Sequence, residues 1–596
     1  MNSTSARITT IVTSMLAAVL AGAPVMAQQQ RVASIIDYGS RHHSVIDQGG
    51  MVAVQNAIAA EVGADILAAG GNAVDAAVAV GLTLAVTLPR AGNLGGGGFM
   101  LVYLADEDRT IAIDYRERAP GAASRDMFLK ADGEPDNRAS RFSYRSAGVP
   151  GTVAGMHHAL TQYGSMSWRE VLEPAIRVAS RGMQVSLDLS QTLKRRRESL
   201  GRDPETLRTY YMAVGAPFEA GDTLRLMDLA WSLTALAIDG PDAFYRGVIA
   251  EKIVAAMQAN DGLITLDDLD NYRITEREPV VGTYREATIV SMPPPSSGGV
   301  LLIQMLNVLE QFELGSFGYG SAKAVHLMAE AMRRAYADRS EHLGDPDYYT
   351  APVDWLMSKA YSRKLAAEID LRAARRSADI APGVNAGYES PDTTHYAVVD
   401  AAGNVVANTY TLNFSYGSGI TVPGTGILLN NEMDDFSAKP GSPNGYGLLG
   451  GEANAIEAGK RPLSSMTPTI VFRDGKPWIV TGSPGGSRII TTVLQVIVNV
   501  IDFEMSISDA VAAPRFHNQW FPDRLFMEPG FSPDTLAILD EMGHEIDARP
   551  RTMGSAQTIL LEDGYQKGAA DPRRPDALAI GPRSLGCRNA KVACAH

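Results

Sequence analysis

The sequence predicts an α+β fold, with strands and helices gathered into separate blocks of the chain. Three features point there. Residues 393–412 (TTHYAVVDAAGNVVANTYTL) read as two short strands with a turn at Ala402-Gly403-Asn404. The stretch from about Val153 to Asp370 is dominated by helical patterns, Ala322 to Ala337 among them. Gly95-Gly96-Gly97-Gly98 leads into Phe99–Leu104, a glycine loop feeding a buried strand.

The first 27 residues carry one positive charge, Arg7, then an apolar stretch from Ile11 to Leu20, then Val25-Met26-Ala27 ahead of Gln28. This reads as a cleaved secretory signal, since the apolar stretch is short for a bilayer-spanning anchor. From Met51 to Thr87 the chain is rich in Ala, Val and Leu, and Glu61, Asp65 and Asp75 fall at helical intervals; buried helices are expected, ending near Pro89. The glycine run lacks the Lys-[Ser/Thr] of a phosphate-binding loop and precedes a strand, so a packing role is expected of it. A Pro293–Gly299 turn (PPPSSGG) punctuates the helical stretch, which shows no tandem repeat. After a polar, turn-rich segment from Gly383 to Asp392 the chain enters a sheet abruptly at Thr393. Further strand-like runs lie at Thr469 to Phe472 and Trp478 to Thr481, and helical patterns at Ile489 to Ile501 and Pro533 to Met542.

Apolar residues make up 45% and charged residues 20% of the chain, the usage of a folded globular protein. Loss of the signal takes Arg7 with it and moves the formal net charge from −14 to −15, which argues against nonspecific nucleic-acid binding. The two cysteines, Cys587 and Cys594, both fall in the last ten residues. A local disulfide is expected in an oxidising compartment, where closing so small a loop gives roughly 2.5 kcal/mol. A metal or redox pair would need C-x-x-C spacing or nearby histidines.

Signatures of zinc hydrolases (H-E-x-x-H) and of serine hydrolases (G-x-S-x-G) are absent, and the ten histidines are scattered. His395 would share a strand face with Thr393, where a structural hydrogen bond is as good a reading as catalysis; it is not assigned as a base. There remains a threonine directly after a flexible loop, in Pro391-Asp392-Thr393-Thr394-His395-Tyr396. A Thr hydroxyl becomes a nucleophile when a base takes its proton, and a freed N-terminal amine titrating near pH 7.7 to 8.0 can do so.

Several blocks resemble the gamma-glutamyltranspeptidase family in order and spacing: Asp114-Tyr115-Arg116-Glu117, the TTHY start, Thr411-Leu412-Asn413, Leu429–Phe436 (LNNEMDDF), Arg461–Met466 (RPLSSM) and Thr481–Arg488 (TGSPGGSR). The resemblance spans most of the chain after the signal. It implies a four-layer αββα sandwich of the N-terminal-nucleophile type and cleavage between Asp392 and Thr393. A large chain (28–392) and a small chain (393–596) would then form one heterodimeric unit. Asp392 departs from the Gln common at that position, which bears on the processing rate. The resemblance implies roles as well: Thr393 as nucleophile, Thr411 holding its hydroxyl, and Gly485 and Gly486 as oxyanion donors. Arg116, Ser464 and Ser465 would take the α-carboxylate of a gamma-glutamyl donor, and Asn413, Glu432 and Asp435 its ammonium.

Pro440–Ala455, with five glycines in sixteen residues, looks like the family's lid, with Tyr446 closing over substrate. The activity implied is gamma-glutamyl transfer from glutathione or a related donor to water, amino acids or dipeptides, in the periplasm or outside the cell, with neither metal nor cofactor. A glutaryl-β-lactam acylase on the same fold is the runner-up, and an inactive exported binding protein the reading from a different class.

Overall fold

The computed structural model describes residues 42–380, 393–549 and 551–583. The expected export signal, Asp392 and the Cys587 and Cys594 pair lie outside the described residues. Two seven-stranded antiparallel sheets stack face to face. The first runs Leu578–Ile580, Gly50–Val54, Thr394–Asp400, Val405–Thr411, Gly97–Leu104, Arg109–Asp114 and Thr275–Arg277. The second runs Val45–Asp47, Tyr565–Ala570, Gln557–Glu562, Lys476–Thr481, Thr469–Arg473, Ala287–Ser291 and Val280–Tyr284.

Because side chains alternate along a strand, a strand between two layers needs apolar residues on both faces. Met51, Ala53, Phe99, Leu101, Ala397, Val399, Val405 and Ala407 point between the sheets, where Val290, Ile470, Val480 and Ile559 meet them from the second sheet. Their neighbours Val52, Val54, Met100, Val102, Val398 and Val406 face a helical layer containing Ala57–Ala68, Ala73–Thr87 and Trp168–Arg181. On the far side Ile289, Val471 and Ile479 face Gly298–Leu309, Ala322–His342 and Arg488–Ile501. The four layers are therefore αββα, as expected. Among the described residues no helix is long and apolar enough to cross a membrane.

One expectation is corrected. The apolar stretch from Met51 opens as a strand, Gly50–Val54, and only then turns into helices capped by the side chains of Asn56 and Asn72. A short apolar run fits a doubly buried strand as well as a buried helix, and strand pairing decides. The stretch from Val153 to Asp370 is dominated by helices, as read, and also contains Thr275–Arg277 and Val280–Tyr284, edge strands of the two sheets, and Ala287–Ser291 beside the latter.

The hairpin at residues 393–412 matches its reading: Thr394–Asp400 pairs with Val405–Thr411 in a register that sets Thr394 opposite Tyr410 and His395 opposite Thr409. Continued by one residue, that register sets Thr393 opposite Thr411. Gly97 pairs with Thr411 from the other side, and a Cβ on Gly96 would stand 2.0 Å from the Thr411 carbonyl oxygen. The glycine run is thus a packing device that lets the chain pass the end of the hairpin.

The sheets approach closely at Gly482, where an added Cβ would stand 2.3 Å from the His395 ring. Gly482→Ala is expected to cost about 1–3 kcal/mol through overpacking. Chemical denaturation against the parent protein tests this, and an unchanged midpoint would mean that the sheets can part without penalty.

Candidate active site

Thr393 heads its strand at one end of the inter-sheet layer, and its hydroxyl donates to Thr411 Oγ1 at 3.3 Å. This contact is the cross-strand pair that the hairpin register dictates. Thr411 Oγ1 also accepts from the Asn413 backbone N–H at 2.9 Å, and its carbonyl accepts from Asn93 Nδ2 at 2.9 Å. Asn413 sits at φ +73°, in the left-handed region that Asn tolerates, and its amide donates to the Asn431 carbonyl at 2.9 Å.

Arg116, Thr393, Thr411, Asn413, Glu432, Asp435, Tyr446, Ser464, Ser465 and Gly486 line one cleft, joined by Arg339, Leu448, Met466 and Ile489. Gly485 stands one residue behind the lining. Neither Gly485 (φ +138°) nor Gly486 (φ +56°) donates its N–H to another described group, and both precede the N-terminus of the helix Arg488–Ile501. Two unspent N–H groups beside a helix N-terminus form a place for negative charge.

Arg116 follows the strand Arg109–Asp114 and is completely buried, not a surface residue. Its Nε donates to the Pro462 carbonyl at 3.2 Å, Nη1 to Glu432 Oε1, and Nη2 to Asp435 Oδ2 at 2.6 Å. A third carboxylate, Glu117, lies 3.5 Å from Nη1, and neither of its oxygens has a hydrogen-bond partner. Burial alone would lower the Arg116 pKa, but Glu432, Asp435 and Glu117 outweigh it and raise it. Burial likewise raises Glu432 well above its ordinary value and raises Asp435, against the pull of Arg116, and pushes Glu117 up to about 7. Three carboxyl groups around one guanidinium cannot all ionise cheaply.

Ser464 is fixed by its carbonyl, which accepts from Ser297 N–H at 2.8 Å and Ser297 Oγ at 2.7 Å. Ser465 Oγ accepts from Arg339 Nη2 at 3.4 Å. Tyr446, 5% exposed, donates its hydroxyl to the Asn413 carbonyl at 2.5 Å, and its ring lies 2.4 Å from where a Cβ on Gly486 would stand. The loop carrying Tyr446 is tied down by Gly445 N–H to Asp434 Oδ2 at 2.7 Å and by Gln519 Nε2 to the Tyr446 carbonyl at 3.2 Å. The cleft beneath holds about 20 Å³, room for about one water molecule.

His395 is buried, with Nδ1 hydrogen-bonded to Thr409 Oγ1 at 2.8 Å, and burial lowers its pKa to about 3. Its bond is to the residue opposite it, not to Thr393. Among the described residues no group of three or more His, Cys, Asp or Glu is placed to hold a metal ion. Sequence reasoning missed Arg339 and gave Glu117 no role. The available signal for Arg339 was the run of charges, Glu330, Arg333, Arg334, Asp338 and Arg339, inside an otherwise apolar helix.

The chain matches the pattern of the family described as "Gamma-glutamyltranspeptidase" over residues 59–581. It belongs to that family. The "Glutathione hydrolase proenzyme" of Escherichia coli (strain K12) is 52% identical over 570 residues, covering 95% of this chain and 98% of that protein. The "Acylase ACY 1 proenzyme" of Pseudomonas sp. (strain SE83) is 38% identical, covering 94% and 98%. Among solved structures, a cephalosporin acylase from Bacillus halodurans superposes with a TM-score of 0.82 at 27% identity, covering 92% of this chain and 98% of that one. Family members with different names thus share this αββα scaffold.

The Glu117 carboxyl keeps its proton up to about 7 when folded, against an ordinary value of 4.5, so folding weakens as pH rises through that window. Glu117→Gln removes the titration. Its apparent Tm relative to the parent is expected to rise between pH 5 and pH 8, by the equivalent of about 1–3 kcal/mol. A difference that does not change with pH would show that Glu117 titrates normally.

Proposed function

We propose that the protein is a self-processing gamma-glutamyltransferase and glutathione hydrolase whose nucleophile is Thr393. The observation that carries this reading is the guanidinium of Arg116 shared between Glu432 and Asp435 in the cleft that Thr393 faces. Such a site matches a zwitterion. The α-carboxylate of a gamma-glutamyl group takes Arg116, which binds carboxylates through a planar fork. The acids that Arg116 gives up, with Asn413, then take the α-ammonium. Ser464 and Ser465 add hydroxyl donors to the carboxylate. The relatives named glutathione hydrolases support glutathione as a donor.

In the precursor, Thr393 Oγ attacks the Asp392 carbonyl carbon, the Asp392–Thr393 C–N bond breaks, and the acyl group moves to oxygen as an ester. Water hydrolyses that ester, leaving a carboxylate on Asp392 and a free amine on Thr393. In turnover the amine takes the Oγ proton as Oγ attacks the gamma-carbonyl carbon, with Thr411 holding the hydroxyl in place. Gly485 and Gly486 N–H groups stabilise the oxyanion, each such donor being worth about 2.7 to 4 kcal/mol. The donor's amide C–N bond breaks, its amine leaves with the proton passed on by the Thr393 amine, and water or the amine of an amino acid or dipeptide then cleaves the gamma-glutamyl ester. The cleft admits a substrate only when the Tyr446 loop lifts from Gly486. Residues 28–392 and 393–596 remain together as a heterodimer after export and loss of the signal.

The acylase reading has its own support in the relatives and the neighbour so named. A glutaryl group lacks the ammonium, and would leave Glu432 and Asp435 without a cation once Arg116 turned to its carboxylate.

Intact-mass analysis with N-terminal sequencing is expected to find two chains, one starting Thr393-Thr394-His395; a single uncut chain would overturn the processing step. Thr393→Ala is expected to stay uncut and to lose activity by at least about 10³-fold, as loss of a nucleophile does, and residual turnover in it would assign the nucleophile elsewhere. A gamma-glutamyl anilide should be cleaved at least about tenfold faster than its glutaryl analogue, from one charge-assisted contact; the reverse order would favour the acylase.

A further inference from the structure

Arg339 is the one cation lining the cleft, among the described residues, that has no carboxylate partner. It sits in the last turn of Ala322–His342 and is 5% exposed. Its Nε donates to Ser297 Oγ at 2.9 Å and its Nη2 to Ser465 Oγ at 3.4 Å, while Nη1 donates to no described group. Burial lowers its pKa to about 10, with Asp435 pulling the other way. A guanidinium taken out of water without a counter-charge costs several kcal/mol, and proteins keep such groups where a ligand completes them.

The cleft sets Glu432 and Asp435, with Glu117 buried behind Arg116, against two guanidinium groups. Both Nη atoms of Arg116 are already engaged by acids, whereas Arg339, which lines the same cleft as Ser464 and Ser465, spends only Nε and Nη2. Because Arg339 donates to Ser465 Oγ, the Ser465 hydroxyl hydrogen is directed away from the guanidinium and is left for another acceptor. A guanidinium with Nη1 unspent, whose Nη2 reaches Ser465 Oγ, and the hydroxyl it orients together offer two donors to a carboxylate.

We propose that Arg339 is a specificity-determining residue that reads the carboxylate of the acyl donor, donating from Nη1 to one oxygen while the Ser465 hydroxyl it orients donates to the other. This rests on the donor-site reading above but not on the choice between glutamyl and glutaryl, since both groups carry that carboxylate. Arg116 alone would satisfy the carboxylate only by abandoning two acids. With Arg339 present, Arg116 can keep one acid while the other turns to the ammonium, so the α-carbon is held from both sides.

Three p-nitroanilides separate the possibilities: gamma-glutamyl (carboxylate and ammonium), glutaryl (carboxylate only) and 4-aminobutyryl (ammonium only). Arg339→Gln is expected to raise KM for both carboxylate-bearing donors about 10- to 100-fold, the value of a charge-assisted contact, with kcat changed far less and 4-aminobutyryl cleavage kept within about threefold. Equal losses on all three donors would reduce Arg339 to a brace for the Ser297 turn, and no loss would remove it from the site; either overturns the proposal. Arg339→Lys keeps the charge without the fork and is expected to fall between parent and Arg339→Gln on the carboxylate donors alone. It carries the test if Arg339→Gln fails to mature. A parent enzyme that prefers the glutaryl donor would overturn the glutamyl reading while leaving the Arg339 comparison intact.

Discussion

Thr394–Asp400 exchanges backbone hydrogen bonds with Gly50–Val54 on one edge and Val405–Thr411 on the other, and the rest of the site is arranged around that ladder. A strand paired on both edges and buried on both faces cannot slide, because a shift of one residue would turn Ala397 and Val399 out of the inter-sheet layer. Residue 393 is thereby fixed opposite Thr411 whether or not anything precedes it in the chain. The proposed cut therefore frees an amine without freeing the residue that bears it. The same ladder keeps His395 against Thr409 and Gly482, where it fills space as a neutral ring.

A second constraint is electrostatic. Carboxylates and guanidinium groups buried together are costly individually and tolerable only as a set, so removing one member strands the others. The set closes on itself, with Arg116 answering Glu432 and Asp435. A zwitterionic substrate brings one charge of each sign, so it can enter by exchange without leaving a net charge behind. In the proposed reading, this complementarity would favour a zwitterionic donor over a monoanionic one for a physical reason that does not depend on shape. The Tyr446 ring lies against Gly486 and leaves the cleft room for about one water molecule, so these charges face little solvent.

Much of this was legible in the chain. A turn centred on Ala402 pairs residue 393 with residue 411, so the Thr393–Thr411 contact follows from the hairpin alone. The glycine run was readable as packing, because its residues lead into a strand and lack phosphate-binding chemistry. The strand Gly50–Val54 was not, since Met-Val-Ala-Val followed by alanine-rich helix has no alternation to mark it. Three short strands between Thr275 and Ser291 were hidden by the helices around them. Arg116 could be brought to Glu432 and Asp435 only through the family resemblance, since their partnership depends on a fold that joins residues more than three hundred apart. Arg339 was hidden because a charge on a buried helix carries no sign of which layer it faces.

Both sheets are woven from segments on either side of Thr393: Gly50–Val54 and Gly97–Leu104 enclose the hairpin that begins there, and Ala287–Ser291 lies against Thr469–Arg473. A chain cut before Thr393 would hold together as an interlaced pair that no rigid-body motion could separate. Its two halves could part only by unravelling both sheets, and could re-form only through a bimolecular search for long-range strand pairs, which is slow and depends on concentration. Proposed maturation of this kind would work as a ratchet: the intact precursor folds with its halves covalently linked, and a nicked product, once unravelled, would have lost the link that made folding fast.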